Sequence, residues 1–137
     1  MAYQIRRVDY YFVTVKDEPG EAYKFLSQLA GLGINLLAFT AVPSGQNSAQ
    51  LTLFPESSLN FQQKAKVAGL EYYGPHHAFL VHGDDELGAL VEIHNKLFNA
   101  RVNISASSGV TDGKGEYGYI MYLKPEDYER AAKALGI

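Results

Sequence analysis

Cysteine is absent from the chain, which excludes disulfides, thiolate nucleophiles, zinc ribbons and iron–sulfur clusters. Long apolar runs are absent as well, since no stretch approaches the roughly 18 unbroken apolar residues of a membrane span. No such run follows Arg6 and Arg7, so we expect no secretory signal. These absences predict a soluble, cytoplasmic protein without a membrane partner.

An excess of basic residues is also lacking. Twelve lysines and arginines stand against fifteen aspartates and glutamates, and the formal net charge is -3. Proteins held mainly by phosphate backbones carry a strongly basic balance, so this composition argues against a nucleic-acid partner. Hydrophobic residues make up 47% of the chain, which is too many for a disordered protein and enough to build a core.

An internal repeat changes the expected number of domains. A chain of 137 residues would ordinarily form one domain. However, Gly20 and Gly88 lie 68 positions apart, and Asn35 and Asn103 are separated by the same distance. Matching residues that keep the same order and the same separation favour an old duplication, which would give two modules of about 68 residues.

The first half is predicted to begin with a strand and a helix. Residues 10–15 are aromatic and β-branched, as strands prefer. Asp17 is placed to cap the following helix, and Pro19 suits a first turn. The apolar face of this helix repeats at spacings of three and four and consists of Ala22, Phe25, Leu26, Leu29 and Ala30.

Two more strands and a helix complete the first half. The strands are predicted over residues 36–42 and 49–54, on either side of a turn cluster. The helix is predicted over residues 58–68, with Ser57 or Ser58 as its cap. Residues 70–73 can serve as a final strand.

The second half is predicted to repeat this order, with strands over residues 78–81, 102–110 and 116–123. Asp112-Gly113 is a hairpin turn signal between the last two strands. The helix after the first strand is marked by Leu87, Leu90, Val91, His94, Leu97 and Phe98. Pro125 opens the last helix, whose buried stripe is Tyr128, Ala131, Ala132 and Leu135.

This order of elements predicts an α+β fold with antiparallel sheets and helices on one face. We expect two ferredoxin-like βαββαβ modules, over residues 1–74 and 75–137. The second module lacks a last strand in this sequence. Since an unpaired edge strand invites association, we expect residues 3–8 of the N-terminal extension, or a partner, to fill that edge.

A turn motif carries a resemblance to a known family. Residues 15–20 read Val-Lys-Asp-Glu-Pro-Gly and precede an amphipathic helix and then a Gly-Ile-Asn-Leu step at residues 33–36. This pattern resembles the ACT domain, a small regulatory module. The second half is similar but lacks the proline before Gly88 and the glycine before Val102. Over nearly the whole chain the resemblance is to a tandem pair of ACT-type modules.

The resemblance implies that an amino acid or another small effector binds between paired modules, at the turn after the first strand. Gly20 has no side chain, so a ligand can approach the backbone closely. Free amide groups at the following helix start favour a carboxylate, and nearby acidic side chains can answer an ammonium group. The predicted ligand-binding residues are Asp17, Glu18, Pro19, Gly20, Glu21, Ala22, Asn35, Leu36, Asp85, Leu87, Gly88 and Asn103.

Each of these residues also has a structural interpretation. The Pro19-Gly20 pair can serve only to shape a turn, and Asp17 can serve only as a cap. Asn35 can bond a neighbouring loop, as asparagines commonly do in turns. The corresponding alternative function is a structural protein-interaction module that binds no ligand.

Two other groups of residues suggest different functions. Residues 114–122 nearly match the third-strand signature of the RNA-recognition motif, but Glu116 is inserted and the basic footprint is missing. RNA-recognition-like binding therefore stays an alternative. The densest set of metal-ligand side chains is His82, Asp84, Asp85 and Glu86, but its spacing fits no common metal pattern. Acidic residues before a helix are explained by the helix dipole, so we expect no metal.

Sequence signals of catalysis are missing. There is no G-x-S-x-G elbow and no P-loop, and we expect neither an enzyme nor a cofactor. The sequence instead predicts a stand-alone regulatory protein that senses an amino acid at an interface of ACT-type modules. Its expected partners are the effector, a second copy in a homodimer and a partner enzyme.

Overall fold

The computed structural model describes residues 3–137, in which strands and helices alternate. The strands are β1 (Tyr3–Lys16), β2 (Leu36–Pro43), β3 (Ser48–Pro55), β4 (Tyr73–Asp84), β5 (Ala106–Thr111) and β6 (Glu116–Tyr122). The helices are α1 (Glu21–Gly31), α2 (Ser58–Ala68), α3 (Val91–Asn99) and α4 (Tyr128–Leu135), with a single 3₁₀ turn at Pro125–Asp127. The predicted α+β class with antiparallel pairing is confirmed. Within residues 3–137, none of the helices is long and apolar enough to cross a membrane.

The chain forms two compact units. One consists of residues 9–76, and the other combines residues 3–8 with residues 77–137. Met1 and Ala2, which the predicted first module includes, lie outside the described residues. The order strand, helix, strand, strand, helix occurs twice along the chain, as β1-α1-β2-β3-α2 and as β4-α3-β5-β6-α4.

In the unit of residues 9–76, β3 lies between β2 and β1 and pairs antiparallel with both strands. Tyr11 is in register with Leu53, and Val13 is in register with Leu51. Successive side chains of a strand alternate between faces, so these four share one face. They are buried there against both helices, through Phe25, Leu29, Phe61 and Ala65.

In the unit of residues 3–8 and 77–137, β6 lies between β4 and β5 and pairs antiparallel with both. Its core has the same construction, since alternate residues of β4 and β6 pack against α3 and α4. Phe79 stacks on Tyr128 with ring centroids 4.4 Å apart. The predicted stripe of α4 is confirmed, because Tyr128, Ala131, Ala132 and Leu135 are all buried.

Residues 3–8 are held in this second unit by contacts with its helices. The side chains of Tyr3 and Ile5 pack against the core that α3 and α4 cover. The Tyr3 hydroxyl accepts a hydrogen bond of 3.1 Å from Lys96 on α3. A bidentate pair joins Arg7 to Glu129 on α4, with one N···O distance of 2.7 Å and the other of 3.1 Å. This segment therefore belongs to the unit through polar as well as apolar contacts.

The helix starts differ from one another. Ser57 caps α2 as predicted, since its hydroxyl accepts a hydrogen bond of 3.1 Å from the Asn60 amide. The prediction that Asp17 caps α1 was wrong. The helix begins only at Glu21, after Gly20 in the left-handed region, and no side chain caps it. Asp17 lies three residues before that cap position.

The predicted apolar face of α3 was also wrong in part. The helix begins at Val91, and its buried residues are Ile93 and Leu97. Leu87 lies in the preceding turn, and it is fully exposed together with much of Val91 and Phe98. Because the turn at Gly88 comes first, the helix starts only at Val91. Its buried face consists of Ile93 and Leu97, which lie four residues apart. In α1, Leu26 and Ala30 likewise face outward.

Some strand bounds also differ from the prediction. β1 is longer than residues 10–15, since it starts at Tyr3. Residues 70–72 form no strand, and only Tyr73 of the predicted final strand belongs to β4. β5 starts at Ala106 rather than at Val102, which leaves a connection between α3 and this strand.

Candidate functional site

The turns at Gly20 and Gly88 have the same backbone geometry. Gly20 has a φ of 86° and Gly88 a φ of 74°, both in the left-handed region that favours glycine. The amide of Asp17 donates to the Asn47 carbonyl at 2.9 Å, and 68 positions later the amide of Asp85 donates to the Gly115 carbonyl at 2.9 Å. The strand of each unit thus leads into its helix through an equivalent turn.

Each of these turns is followed by a helix that has no side-chain cap. No side chain caps α1 or α3, in contrast to α2. The first amides of an α-helix have no intrahelical partner, and the helix dipole makes that end attractive to anions. Among the described residues, the amides of Leu87, Gly88 and Leu90 donate to no protein acceptor. The turn before α3 therefore presents several free N–H groups.

A cleft of about 520 Å³ opens beside the second turn. It lies between the start of α3 and the two strands of the β5–β6 hairpin. The lining residues are Asp85, Glu86, Gly88, Ala89, Leu90, Val91, Gly109, Val110, Thr111, Tyr117, Gly118 and Tyr119. This volume is within the usual range for small-molecule sites, roughly 300–1,000 Å³.

One residue that lines the cleft carries a buried polar atom without a partner. The Tyr117 hydroxyl is inaccessible to water and has no hydrogen-bond partner among the described residues. Burial raises the pKa of Tyr117 above its ordinary value, with further contributions from Tyr3 and then from the acidic Glu86 and Asp84, so the hydroxyl keeps its proton. An unpaired buried hydroxyl costs about 1–3 kcal/mol, and such a group in a native fold calls for an explanation.

Tyr119 forms a fixed wall of the same cleft. Its hydroxyl lies 2.7 Å from Nε2 of His94 on α3, within hydrogen-bond distance. Gly109 on β5 lies directly against the ring, since a Cβ at that position would stand 3.0 Å from it. The absence of a side chain at Gly109 therefore lets the edge strand approach Tyr119.

The predicted residues of the first turn lie together at the start of α1. Asp17, Glu18, Pro19 and Gly20 are exposed, and Glu21 and Ala22 are half-buried. Asn35 forms its hydrogen bonds with Glu56. Its side-chain amide donates to the Glu56 carboxylate at 3.1 Å, and its backbone carbonyl accepts from the Glu56 backbone N–H at 2.8 Å. Leu36 packs against the core of its unit.

The predicted residues of the second turn divide between two places. Asp85 and Gly88 line the cleft, and Leu87 lies exposed at the tip of the turn. Asn103 lines a separate hollow of about 400 Å³ with Phe98 and Ser107. The structure therefore brings Asp85 and Gly88 together and leaves Asn103 outside the cleft.

Sequence reasoning missed the contribution of the β5–β6 hairpin to this cleft. Tyr117 and Tyr119 are two positions apart on one predicted strand, so they share a face. That spacing, together with Gly109 on the preceding strand, was the available signal. The structure also buries both tyrosines, which removes them from base stacking of the RNA-recognition kind.

The acidic residues before α3 form no metal centre. His82 is engaged with Glu116, with 3.3 Å between its Nε2 and a carboxylate oxygen. Within the part of the chain that the structure describes, no group of three or more histidines and carboxylates is placed to hold a metal ion.

Comparisons with known proteins place the fold. The sequence matches no protein-family model, and it matches no curated protein. A solved structure of a protein from Bacteroides thetaiotaomicron aligns with a TM-score of 0.77 at 13% identity, covering 96% of this chain and 88% of that one. The regulatory subunit of aspartate kinase from Thermus thermophilus, in a ligand-free form, aligns with a TM-score of 0.63 at 15% identity, covering 97% and 93%.

A second regulatory subunit of aspartate kinase, from Thermus flavus, aligns with a TM-score of 0.57 at 16% identity, covering 98% of this chain and 93% of that one. Identities this low establish a likeness of fold only. The chain thus has an α+β fold like that of these regulatory subunits, over nearly their whole length.

Proposed function

We propose that this chain is a regulatory protein of two tandem ACT-type modules that binds a free amino acid in the cleft beside Gly88. The tandem organisation is supported by the two equal runs of elements and by backbone contacts that recur 68 positions apart. One example is the bond from the Ile34 amide to the Leu29 carbonyl, matched by the bond from Val102 to Leu97. The observation that carries the ligand site is the cleft itself.

The chemistry of the cleft suits the two charges of an α-amino acid. Free amides of Gly88 and Leu90, which line the cleft before α3, attract its carboxylate. The exposed carboxylates of Asp85 and Glu86, at the same end of the cleft, attract its ammonium group. A ligand that carried only one of these charges would satisfy only one of the two groups.

A second copy of the chain completes the site in this proposal. β5 is an edge strand that pairs only with β6 among the described strands, and its Gly109, Val110 and Thr111 border the cleft. An open edge presents unpaired N–H and C=O groups to another strand. Large apolar side chains also stand exposed beside it, on Val110, Val91 and Phe98. A homodimer formed here would cover them and close the cleft at a module interface.

The expected role of the effector is to control a partner enzyme. The likeness to regulatory subunits of aspartate kinase supports regulation of such a partner, and a function without catalysis by this chain. An effector shifts a conformational equilibrium only by its different affinities for the two states. Closure of the cleft against a second copy would supply that difference. The residues of the turn at Gly20 are proposed as a second effector site of the same kind.

A thermal-shift screen against the twenty amino acids tests the proposal, because a ligand that binds only the native state raises the midpoint of unfolding. The discriminating variants are Gly88→Leu and Gly20→Leu. Each forces a side chain into the left-handed region, at a cost of about 1–2 kcal/mol in stability. We expect Gly88→Leu to abolish the shift and Gly20→Leu to preserve most of it.

Three outcomes are informative. If Gly20→Leu abolishes the shift and Gly88→Leu does not, the effector binds at the first turn. If both variants respond like the wild type, neither turn forms the site. The absence of any shift at millimolar amino acid, for protein shown to be folded, would favour the structural interaction module without a ligand.

A further inference from the structure

We propose that the effector of the Gly88 cleft has an apolar side chain, and that its charged end forms a hydrogen bond with the Tyr117 hydroxyl. This inference rests on the proposed function and adds the class of ligand and a binding residue. Tyr117 lies outside both turns, on β6, and the sequence motif gives it no role.

The walls of the cleft determine the expected side chain. Away from Asp85 and Glu86, the cleft is bounded by Leu90 and Val91 of α3, Val110 of β5 and the ring of Tyr119. These side chains offer mainly apolar contacts, and Thr111 with the edge of β5 adds polar groups. Burying apolar surface against them stabilises a complex by about 25 cal/mol per Å².

The charges of the lining disfavour acidic and basic side chains. No lysine, arginine or histidine is among the lining residues, so an acidic side chain would meet Asp85 and Glu86 with no compensating cation. A basic side chain would compete with the α-ammonium group for the same two carboxylates and leave the apolar wall uncovered. Apolar amino acids have neither disadvantage.

Tyr117 supplies the polar contact inside the cleft. Its side chain is 7% exposed, and its hydroxyl is the buried side-chain atom without a partner among the described residues. Tyr119, two residues along the same face, differs because its hydroxyl is already engaged with His94. In the proposed complex, the charged end of the ligand reaches the Tyr117 hydroxyl, which is covered in the unliganded chain, and leaves the Tyr119 contact intact.

The pair Tyr117→Phe and Tyr119→Phe separates a binding role from a structural one. Tyr117→Phe removes an unpartnered hydroxyl, so the unliganded variant should melt no lower than the wild type. It should bind the effector about tenfold to hundredfold more weakly, as expected for the loss of a hydrogen bond to a charged group. Tyr119→Phe removes a hydrogen bond that exists without ligand, so the unliganded variant should melt lower.

The experiment is isothermal calorimetry on the full chain with leucine, isoleucine, valine, methionine and phenylalanine, against aspartate, lysine and threonine. We expect at least one apolar amino acid to bind tenfold or more tightly than each of the polar ones. Tighter binding of aspartate, lysine or threonine would overturn the proposed ligand class and leave the proposed function standing.

The remaining outcomes also decide the matter. Unchanged affinity in Tyr117→Phe, or an unliganded midpoint lowered as in Tyr119→Phe, would overturn the role of the hydroxyl. If none of the twenty amino acids binds, the proposed function fails and this inference fails with it.

Discussion

The turns at Gly20 and Gly88 share a backbone conformation, but their surroundings differ. Beside the first turn, Asn35 is tied to Glu56 through its side chain and its carbonyl. Beside the second, Asn103 lies apart, and a cleft opens between α3 and the β5–β6 hairpin. Equivalent local structure therefore lies in different surroundings in the two units.

The edge strands of the two units also differ. Phe39 on β2 is in register with Leu53, and Ser107 on β5 is in register with Met121. The two pairs are equivalent, because each residue of the second pair lies 68 positions after its counterpart in the first. Phe39 packs against the core of its unit, whereas the equivalent Ser107 is exposed. All six residues of β5 are exposed, in contrast to the half-buried first half of β2. The edge strand of the second unit is therefore the more exposed of the two.

The largest effect is expected from a charge on each edge strand. Val110→Arg places a cation in the exposed apolar surface of β5, where Val110 is 74% exposed. Since a buried unpaired charge is strongly unfavourable at an interface, the variant should convert a homodimer to a monomer. Light scattering during size-exclusion chromatography measures this change.

Val42→Arg is the matched control, because Val42 is exposed on the other edge strand, β2. We expect this variant to keep the oligomeric state of the wild type. Dissociation by Val42→Arg alone would move the interface to the first unit. A wild type that is monomeric at all concentrations would rule out the homodimer.

A smaller effect is expected at the helix starts. Ser57→Ala removes the hydroxyl that caps α2 and should lower the free energy of unfolding by about 0.5–2 kcal/mol. Asp17→Ala should stay within about 0.5 kcal/mol of the wild type, since α1 has no side-chain cap. Chemical denaturation of both variants checks the contrast. An equal loss in Asp17→Ala would show that Asp17 acts as the cap after all.

The smallest effect concerns the ion pair that joins residues 3–8 to α4. The hydrogen bond from Arg7 lowers the pKa of Glu129 below its ordinary value of 4.5. A carboxylate with a lowered pKa stabilises the fold at pH values above its ordinary pKa, and the contribution is lost as pH falls through the lowered value. The difference in stability between wild type and Glu129→Gln should therefore shrink from pH 6 to pH 3.

Glu126→Gln is the control for this titration, because Glu126 is exposed and has no ion-pair partner among the described residues. Its stability should follow the wild type across the same range, as measured by urea denaturation at each pH. A constant difference between wild type and Glu129→Gln would show that the pair does not contribute through its charge.

Much of the fold could be predicted from local patterns. The buried stripe of α4 follows from apolar residues at spacings of three and four, and the cap at Ser57 follows from the preference of serine for that position. The site was less predictable. Asp85 and Gly88 come from the turn motif, but Tyr117 and Val110 reach the cleft only through pairing within a hairpin.

The sequence by itself determined the order of elements, the equivalent turns and the α+β class, because turn chemistry and hydrophobic periodicity act over a few residues. Only the tertiary structure decided which side chains of α3 are buried and which unit residues 3–8 join. It also decided that a cleft with an unpartnered tyrosine opens beside Gly88. These features depend on contacts between residues that are distant in sequence. Local sequence patterns do not show how the side chains of such residues pack together.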